Sequence, residues 1–320
     1  MSENISRRKF VEGSLIVTAG GALAVNGGIG QALAQDGKPV NPKVVPGSKN
    51  TLPKGKIGNF EMSRVLLGGN LLNNYTHTHS IRFAGRLAKY YNTLEKKLET
   101  LALAESCGID TIGIHTHAGT MDMLQKYKNE WGGTIKIMAS PTSSIDPDLK
   151  AYFDESKRVV DNGVEAIFIW GNRSEQMLKA GRMGDLIKMV EFVKELGIPS
   201  GVCAHDLNVI KQCEKEKVPC DFYIKTLHHL NYPTAKINHD SCWCSNPEET
   251  IEFMKTVEKP WIAFKIMAAG GIPPQDAFPY AFNNGADFVL AGMFDFDIEE
   301  DVKITKEAVT SAKRDRPWRS

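Results

Sequence analysis

From residue 63 onward, short β-branched or apolar runs alternate with longer segments of helical period, and the alternation does not break. The predicted strands cover residues 64–69, 110–115, 135–139, 165–170, 200–205, 221–225, 261–266 and 288–291. Helix signals separate them: Asn246 and Pro247 open one helix, and Gly108 and Gly197 follow the last turns of two others. Eight such units predict a single-domain α/β protein with a (β/α)8 TIM barrel over residues 57–320.

Alternation within each strand predicts which side chains face the barrel lumen, because neighbouring side chains point in turn toward the lumen and toward the helices. If the helices cover the more apolar set, the outward positions on strands six and seven are Phe222, Ile224, Ile262, Phe264 and Ile266. The same rule predicts these inward side chains: His115 and His117 on strand two, His205 on strand five, Lys225 on strand six and Lys265 on strand seven. Such groups would meet near the C-terminal ends of the strands, where barrel enzymes place their active sites, so we expect an enzyme.

Two lysines in apolar strands need a physical reason, because a buried charged amine costs several kcal/mol unless it is paired, neutralised or used. Lys225 and Lys265 occupy adjacent predicted strands at comparable depth. Desolvation beside a second ammonium group lowers the pKa of an amine, which can then attack a carbonyl group and form a Schiff base. We therefore expect Lys225, Lys265, His205 and His228 to carry catalysis, with His229 as the alternative to His228 just past strand six.

The segments Phe222-Tyr-Ile-Lys225-Thr226 and Phe264-Lys265-Ile-Met-Ala-Ala-Gly-Gly-Ile272 resemble strands six and seven of class I deoxyribose-phosphate-type aldolases. The resemblance implies that Lys225 forms the Schiff base and that Lys265 tunes it. The serine- and glycine-containing continuation of that family is replaced here by Leu227-His228-His229. The expected substrate is a small polar carbonyl compound or carbohydrate, and the expected reaction is of the lyase or isomerase type.

Polar and small residues at other strand ends are candidates for substrate binding. Asn70 and Asn172 end the first and fourth strands and could donate hydrogen bonds to a polar substrate. Gly270 and Gly271 lead into a predicted helix, and backbone amides at such a helix start can hold an anion. A carboxylate or a sugar hydroxyl would fit there as well, and a tight turn without any ligand is the alternative.

A metal site is the second hypothesis for the histidines. His115-x-His117 places two imidazoles on one strand face, and with His205 and one of His228 or His229 they could hold a divalent, zinc-like ion with an open position for water. That arrangement would make the protein a metal-dependent hydrolase or isomerase. No cofactor is certain from the residues alone. A non-catalytic sugar-binding barrel is a further alternative.

Two further resemblances concern the N-terminal part of the barrel and most of the mature chain. The opening Gly58-Asn-Phe-Glu-Met-Ser-Arg-Val-Leu-Leu-Gly68 and the later Gly108-Ile-Asp110-Thr111 resemble the start of aldo-keto reductases, which implies their barrel fold and, as another alternative, an oxidoreductase. Strand three ends in Met138-Ala-Ser140, without the lysine of that family's catalytic tetrad. The Lys-Thr-x-His-His segment and the ending Ala286-Asp-Phe-Val-Leu-Ala-Gly-Met-Phe-Asp295 resemble an uncharacterised family of exported TIM-barrel proteins, a resemblance that implies no activity.

The N-terminal segment has the order of an export signal. Ser6-Arg7-Arg8-Lys9-Phe10 precedes a weakly apolar run and the small-residue end Ala32-Leu33-Ala34, which predicts a twin-arginine signal over residues 1–34 and a flexible arm over 35–56. We expect the twin-arginine export machinery as a partner and a periplasmic or secreted location. No second apolar run is long enough to span a bilayer. With 39 basic and 38 acidic residues, the chain lacks the positive charge that nucleic-acid binding requires, so a small molecule is the expected partner.

Overall fold

The computed structural model describes residues 44–78, 81–235 and 242–320. The predicted export signal, residues 1–34, and residues 35–43 of the predicted arm lie outside these ranges. None of the helices within the described ranges combines the length and the apolar content that crossing a bilayer requires.

Eight parallel strands close into a barrel, as the alternation of the sequence predicts. The ten strands of the described residues are β1 (Lys54–Ile57), β2 (Phe60–Ser63), β3 (Val65–Gly68), β4 (Thr111–His115), β5 (Lys136–Ser140), β6 (Ala166–Ile169), β7 (Ser200–Ala204), β8 (Phe222–Thr226), β9 (Trp261–Phe264) and β10 (Phe288–Ala291). Strands β3 to β10 pair in chain order, and β10 closes the barrel by pairing with both β9 and β3. The predicted (β/α)8 fold is confirmed.

Helices follow the barrel strands. Their bounds are α1 (Ala84–Tyr91), α2 (Leu94–Ser106), α3 (Thr120–Trp131), α4 (Lys150–Asp161), α5 (Gly171–Lys179), α6 (Met183–Glu195), α7 (Leu207–Lys215), α8 (Pro247–Thr256), α9 (Pro274–Asn283) and α10 (Asp295–Thr310). The predicted start of α8 is confirmed, because the Asn246 side chain accepts a hydrogen bond from the Glu249 N–H at 3.1 Å and Pro247 begins the helix.

A hairpin closes the amino-terminal end of the barrel. Strands β1 and β2 pair antiparallel, from Lys54 opposite Ser63 to Ile57 opposite Phe60. Their apolar side chains pack into the same buried group as the lumen residues of the barrel strands, including Phe222 and Phe288. Strand β1 overlaps the end of the segment predicted as a flexible arm. The hairpin fills this end of the lumen, so the opposite end is the one available for a site.

A buried ion pair joins the C-terminal tail to the same closed end. Asp287 precedes β10 and is fully buried, and its carboxylate accepts hydrogen bonds from Arg316 at 2.6 Å and Arg314 at 3.3 Å. The Trp261 N–H donates at 2.9 Å to the same carboxylate oxygen that accepts from Arg316. Because the charges are paired and hydrogen-bonded, the tail can remain buried without an isolated ion.

The predicted facing of strands six and seven, now β8 and β9, is wrong. Phe222, Ile224, Ile262 and Phe264 belong to the lumen group. Tyr223 instead lies on the helix side, where its hydroxyl donates to the Glu214 carboxylate on α7 at 2.7 Å. This lumen is filled by large apolar side chains, so the more apolar face of β8 points into the lumen and not toward the helices. On β9 both faces are apolar, and hydrophobicity cannot distinguish them. The prediction for β4 and β7 is correct, because Ile112, Ile114, Val202 and Ala204 pack on the helix side.

Candidate active site

A deep pocket of about 1020 Å³ opens at the carboxyl ends of the barrel strands. Its floor is formed by strand residues that point into the lumen: Gly113, Phe168, Cys203, Phe264 and Leu290. Helix α1 and the loops after β9 and β10 form its outer walls. The position is the one at which barrel proteins hold their ligands, and the walls are mainly apolar with a few polar groups, as in small-molecule sites.

His205 and Glu175 form a hydrogen-bonded pair at the edge of this pocket. His205 directly follows β7, and Glu175 projects from α5, the helix after β6. One Glu175 oxygen lies 3.0 Å from His205 Nδ1 and also accepts the backbone N–H groups of His205 at 2.7 Å and Asp206 at 3.0 Å. Because Glu175 binds both the ring and the backbone of His205, these hydrogen bonds fix the position of the imidazole ring. His205 itself lines the pocket.

The charge state of this pair follows from its surroundings. Burial raises the pKa of Glu175, but the hydrogen bonds from His205 and Asp206 outweigh burial and bring it below its usual value. Burial lowers the pKa of His205, the bond to Glu175 opposes this, and the nearby Lys265 ammonium lowers it further. The net pKa of His205 is below its usual value, so the ring is neutral at pH 7. Since an ionised Glu175 can only accept, Nδ1 carries the proton and Nε2 is left as a base.

Trp243 connects His205 with Lys265. The His205 and Trp243 ring centroids are 4.5 Å apart with 34° between their planes, and Lys265 Nζ lies 4.2 Å from the Trp243 ring centroid. Lys265 lines the pocket, although its strand has the opposite facing from the one predicted. It follows the last residue of β9 and has a φ of 56°, so the chain leaves the strand geometry and redirects this side chain. A positive φ in a residue with a Cβ is strained and is found where surrounding structure holds it, often at functional sites.

His115 and His117 lie together on the other side of the pocket. Their ring centroids are 5.7 Å apart, and His115 lies 5.3 Å from the Trp170 ring in an edge-on contact. Burial, followed by repulsion from His117 and Arg173, lowers the pKa of His115 to about 4. Its Nδ1 is buried and has no hydrogen-bond partner within the described residues. His115 is therefore a neutral imidazole at pH 7 with one unused nitrogen.

Lys225 does not reach the pocket, which contradicts the predicted nucleophile. It lies on the helix-facing side of β8 with Tyr223 and is only 1% exposed. Its Nζ donates to the Thr226 backbone oxygen at 2.9 Å and to the Thr226 hydroxyl at 2.7 Å. Burial lowers its pKa, but the amine is not among the groups that line the pocket. The paired lysines that the aldolase resemblance implies do not share one site here.

His228 has a structural position instead of the predicted catalytic one. It is fully buried, and its Nε2 accepts the backbone N–H groups of Trp243 at 3.0 Å and Cys244 at 2.9 Å. Its Nδ1 lies 3.0 Å from the His229 backbone oxygen, to which it donates. Both nitrogens are thus used by the backbone. His228 holds in place the loop that carries Trp243 into the pocket.

The predicted substrate-binding residues divide into two groups. Asn70, Asn172 and Gly270 line the pocket, whereas Gly271 does not. Asn70 Nδ2 is 3.1 Å from His77 Nε2, so this amide is oriented by a neighbouring ring. The N–H groups of Gly270 and Gly271 already donate to backbone oxygens, at 2.9 Å and 3.2 Å, in a turn before α9. They are unavailable to an anion, which removes the basis for the predicted anion site.

The predicted metal site would need at least three ligand side chains close together, and the part of the chain that the structure describes contains no such group. His115 and His117 are neighbours, but His205 is engaged by Glu175 and His228 by the backbone. No group of three or more His, Cys, Asp or Glu side chains within residues 44–78, 81–235 and 242–320 is placed to hold a metal ion.

Three residues that shape the site have weak signals in the sequence. Glu175 is one acid among several on an amphipathic helix, and Trp243 lies in a loop between two cysteines. Asp301 lines the pocket from the second turn of α10, where charged residues are ordinary on an exposed face. Only the three-dimensional arrangement shows that Trp243 and Asp301 line the same cavity and that Glu175 holds the His205 ring at its edge.

Comparisons with known proteins identify the fold. No family model matches this chain, and no curated protein sequence matches it. A solved structure of a provisionally named aldo-keto reductase from Pseudomonas aeruginosa is similar, with 15% identity, a TM-score of 0.55, and coverage of 82% of this chain and 97% of that one. A sialic acid synthetase from Leptospira borgpetersenii has 12% identity and a TM-score of 0.46, with coverage of 83% and 93%. The first of these likenesses shows the shared barrel.

Proposed function

We propose that this protein is an enzyme that moves a proton at a carbon next to the carbonyl group of a small hydroxylated substrate. The observation that carries the proposal is the His205–Glu175 pair at the edge of a deep pocket, with Lys265 close enough to lower the pKa of His205. A neutral imidazole with a fixed tautomer and a pKa below its usual value is a general base at neutral pH. The reaction would be of the isomerase or lyase type.

The chemistry divides between two groups. His205 Nε2 takes the proton from the carbon, while the electron pair of that C–H bond moves toward the carbonyl and leaves negative charge on its oxygen. The Lys265 ammonium stabilises that oxygen, as a fixed charge does in a site with little water. When the proton of the α-hydroxyl group passes to this oxygen and the abstracted proton returns to the former carbonyl carbon, the product is the isomer. When the carbonyl re-forms and the group on the β-carbon instead leaves with its bonding electrons, the product is that of a lyase.

The walls favour a ligand with both apolar and polar faces. Trp170, Trp243 and Tyr75 line the pocket with aromatic surface, on which the C–H groups of a sugar-like ring can pack. The indole nitrogens of Trp170 and Trp243 are buried without a hydrogen-bond partner in the described part of the chain. Unsatisfied buried donors are rare unless a ligand or a functional demand accounts for them. Asn70 and Asn172 provide further polar contacts.

The test is solvent deuterium incorporation, which detects proton removal whatever the product. A panel of aldoses, ketoses and hydroxy ketones is incubated with the protein in D₂O, and loss of the α-proton signal is followed by NMR. We expect His205→Ala to reduce the exchange rate by about 10²- to 10⁴-fold, the usual contribution of a general base. Lys265→Ala is expected to reduce it by about 10²-fold, because a stabilising charge is lost.

Lys225→Met is the matched control, because it removes an amine that is buried behind the pocket. We expect this variant, where folded, to retain exchange. Exchange that survives in His205→Ala, or that occurs with no compound of the panel, would contradict the proposed function. Loss of exchange in a folded Lys225→Met variant would mean that the reaction needs the Lys225 amine, and would support the Schiff-base hypothesis instead.

A further inference from the structure

The start of α10 is unusually acidic, and most of that acidity has a structural reason. Acidic residues occupy five of its first seven positions: Asp295, Asp297, Glu299, Glu300 and Asp301. Carboxylates in the first turn are favoured by the positive end of the helix dipole. Asp297 also accepts the Phe294 backbone N–H at 3.3 Å, and Asp295 accepts hydrogen bonds from Lys96 and Tyr91. Asp301 lies beyond the first turn, so neither reason applies to it.

Asp301 is a buried carboxyl group that faces the pocket. It is only 3% exposed, it lines the cavity, and no group in the described part of the chain forms a hydrogen bond or an ion pair with it. Burial, followed by repulsion from Asp297 and Glu300, raises its pKa to about 7. A carboxyl group with this burial and no partner costs free energy, and a ligand that supplies a donor would offset that cost.

Aromatic rings surround the same end of the pocket. Phe294 and Phe296 are stacked with centroids 5.2 Å apart, and Tyr91 meets each of them edge-on at 6.0 Å. All three rings line the cavity. The faces of aromatic rings attract cations, and carboxylates do the same. The aromatic rings and the Asp301 carboxyl group of this wall therefore both favour a positively charged ligand.

We propose that the wall formed by Tyr91, Phe294, Phe296, Asp297 and Asp301 binds a primary ammonium group of the substrate. The inference rests on the proposed function, in that the substrate would be a carbonyl compound, such as an amino sugar, that carries its amine away from the reacting carbon. A phosphate or carboxylate at this end would face two acidic side chains and would be repelled. The wall thus selects amino-substituted substrates over phosphorylated ones.

The experiment compares 6-amino-6-deoxyglucose with glucose by isothermal titration calorimetry at pH 7, because the pair differs only by an amino group in place of the hydroxyl at C6, away from the reacting C1 and C2. We expect the wild-type protein to bind the amino sugar about tenfold more tightly. In Asp301→Asn this preference should fall to about twofold or less. Glu307→Gln is the matched control, since it removes a carboxylate from an exposed position on the same helix and should leave the preference unchanged.

Asp297→Asn provides a second variant if Asp301→Asn does not fold, and it should also weaken the preference. Equal binding of the two sugars, binding of neither, or a preference unchanged in both variants would overturn the inference. The exchange assay separates the two proposals. An ammonium preference that depends on Asp301 but without deuterium exchange would contradict only the proposed function, whereas exchange without that preference would contradict only the ammonium site.

Discussion

Protonation of His115 should destabilise the fold by an amount that can be worked from the structure. Burial and neighbouring positive groups lower the pKa of this histidine from 6.5 to about 4. The difference of roughly 2.5 units corresponds to about 3 kcal/mol, since one unit is worth about 1.4 kcal/mol. The folded pKa is below the unfolded one, so the stabilisation is complete above pH 6.5. It is lost as the pH falls from 6.5 toward 4.

The measurement compares wild-type protein with His115→Gln, which removes the titrating group. Urea unfolding is followed by circular dichroism at intervals between pH 7.5 and 4, and the free energy of unfolding is plotted against pH for both proteins. Carboxylates that titrate in this range contribute to both curves, so the difference isolates His115. We expect the wild type to lose about 3 kcal/mol more than the variant between pH 6.5 and 4. Two parallel curves would refute the reasoning, because they would mean that the pKa of His115 is the same in the folded and the unfolded state.

Three further substitutions test other parts of the molecule. Glu175→Gln should lower the pKa of His205 further, as seen in an NMR titration, because the carboxylate that stabilises the imidazolium is lost; an unchanged pKa would argue against the pair. His228→Ala leaves two backbone N–H groups without their acceptor and should cost about 2–4 kcal/mol in urea unfolding. Asp287→Asn should cost about 3–5 kcal/mol because it leaves buried arginines uncompensated, whereas the exposed Asp161→Asn should cost almost nothing.

The sequence alone determined the barrel and the facing of β4 and β7. Eight strand runs separated by helical segments leave few other folds open, since each unit must bury its apolar face against the next. The inward direction of His115 and His205 could be predicted because polar and apolar residues alternate on their strands, and only the apolar set can pack on helices.

The tertiary structure decided what the pocket contains. On β8 the more apolar face, with Phe222 and Ile224, fills this particular lumen, and this left Lys225 on the helix side. Lys265 reaches the pocket through a positive φ after its strand, which periodicity cannot encode. Glu175 is brought to His205, and Asp301 to the wall of the cavity that His205 and Lys265 line, only when the barrel closes. A repeating pattern specifies which elements form, whereas a site depends on the distances between side chains from different elements, and those distances exist only in the folded molecule.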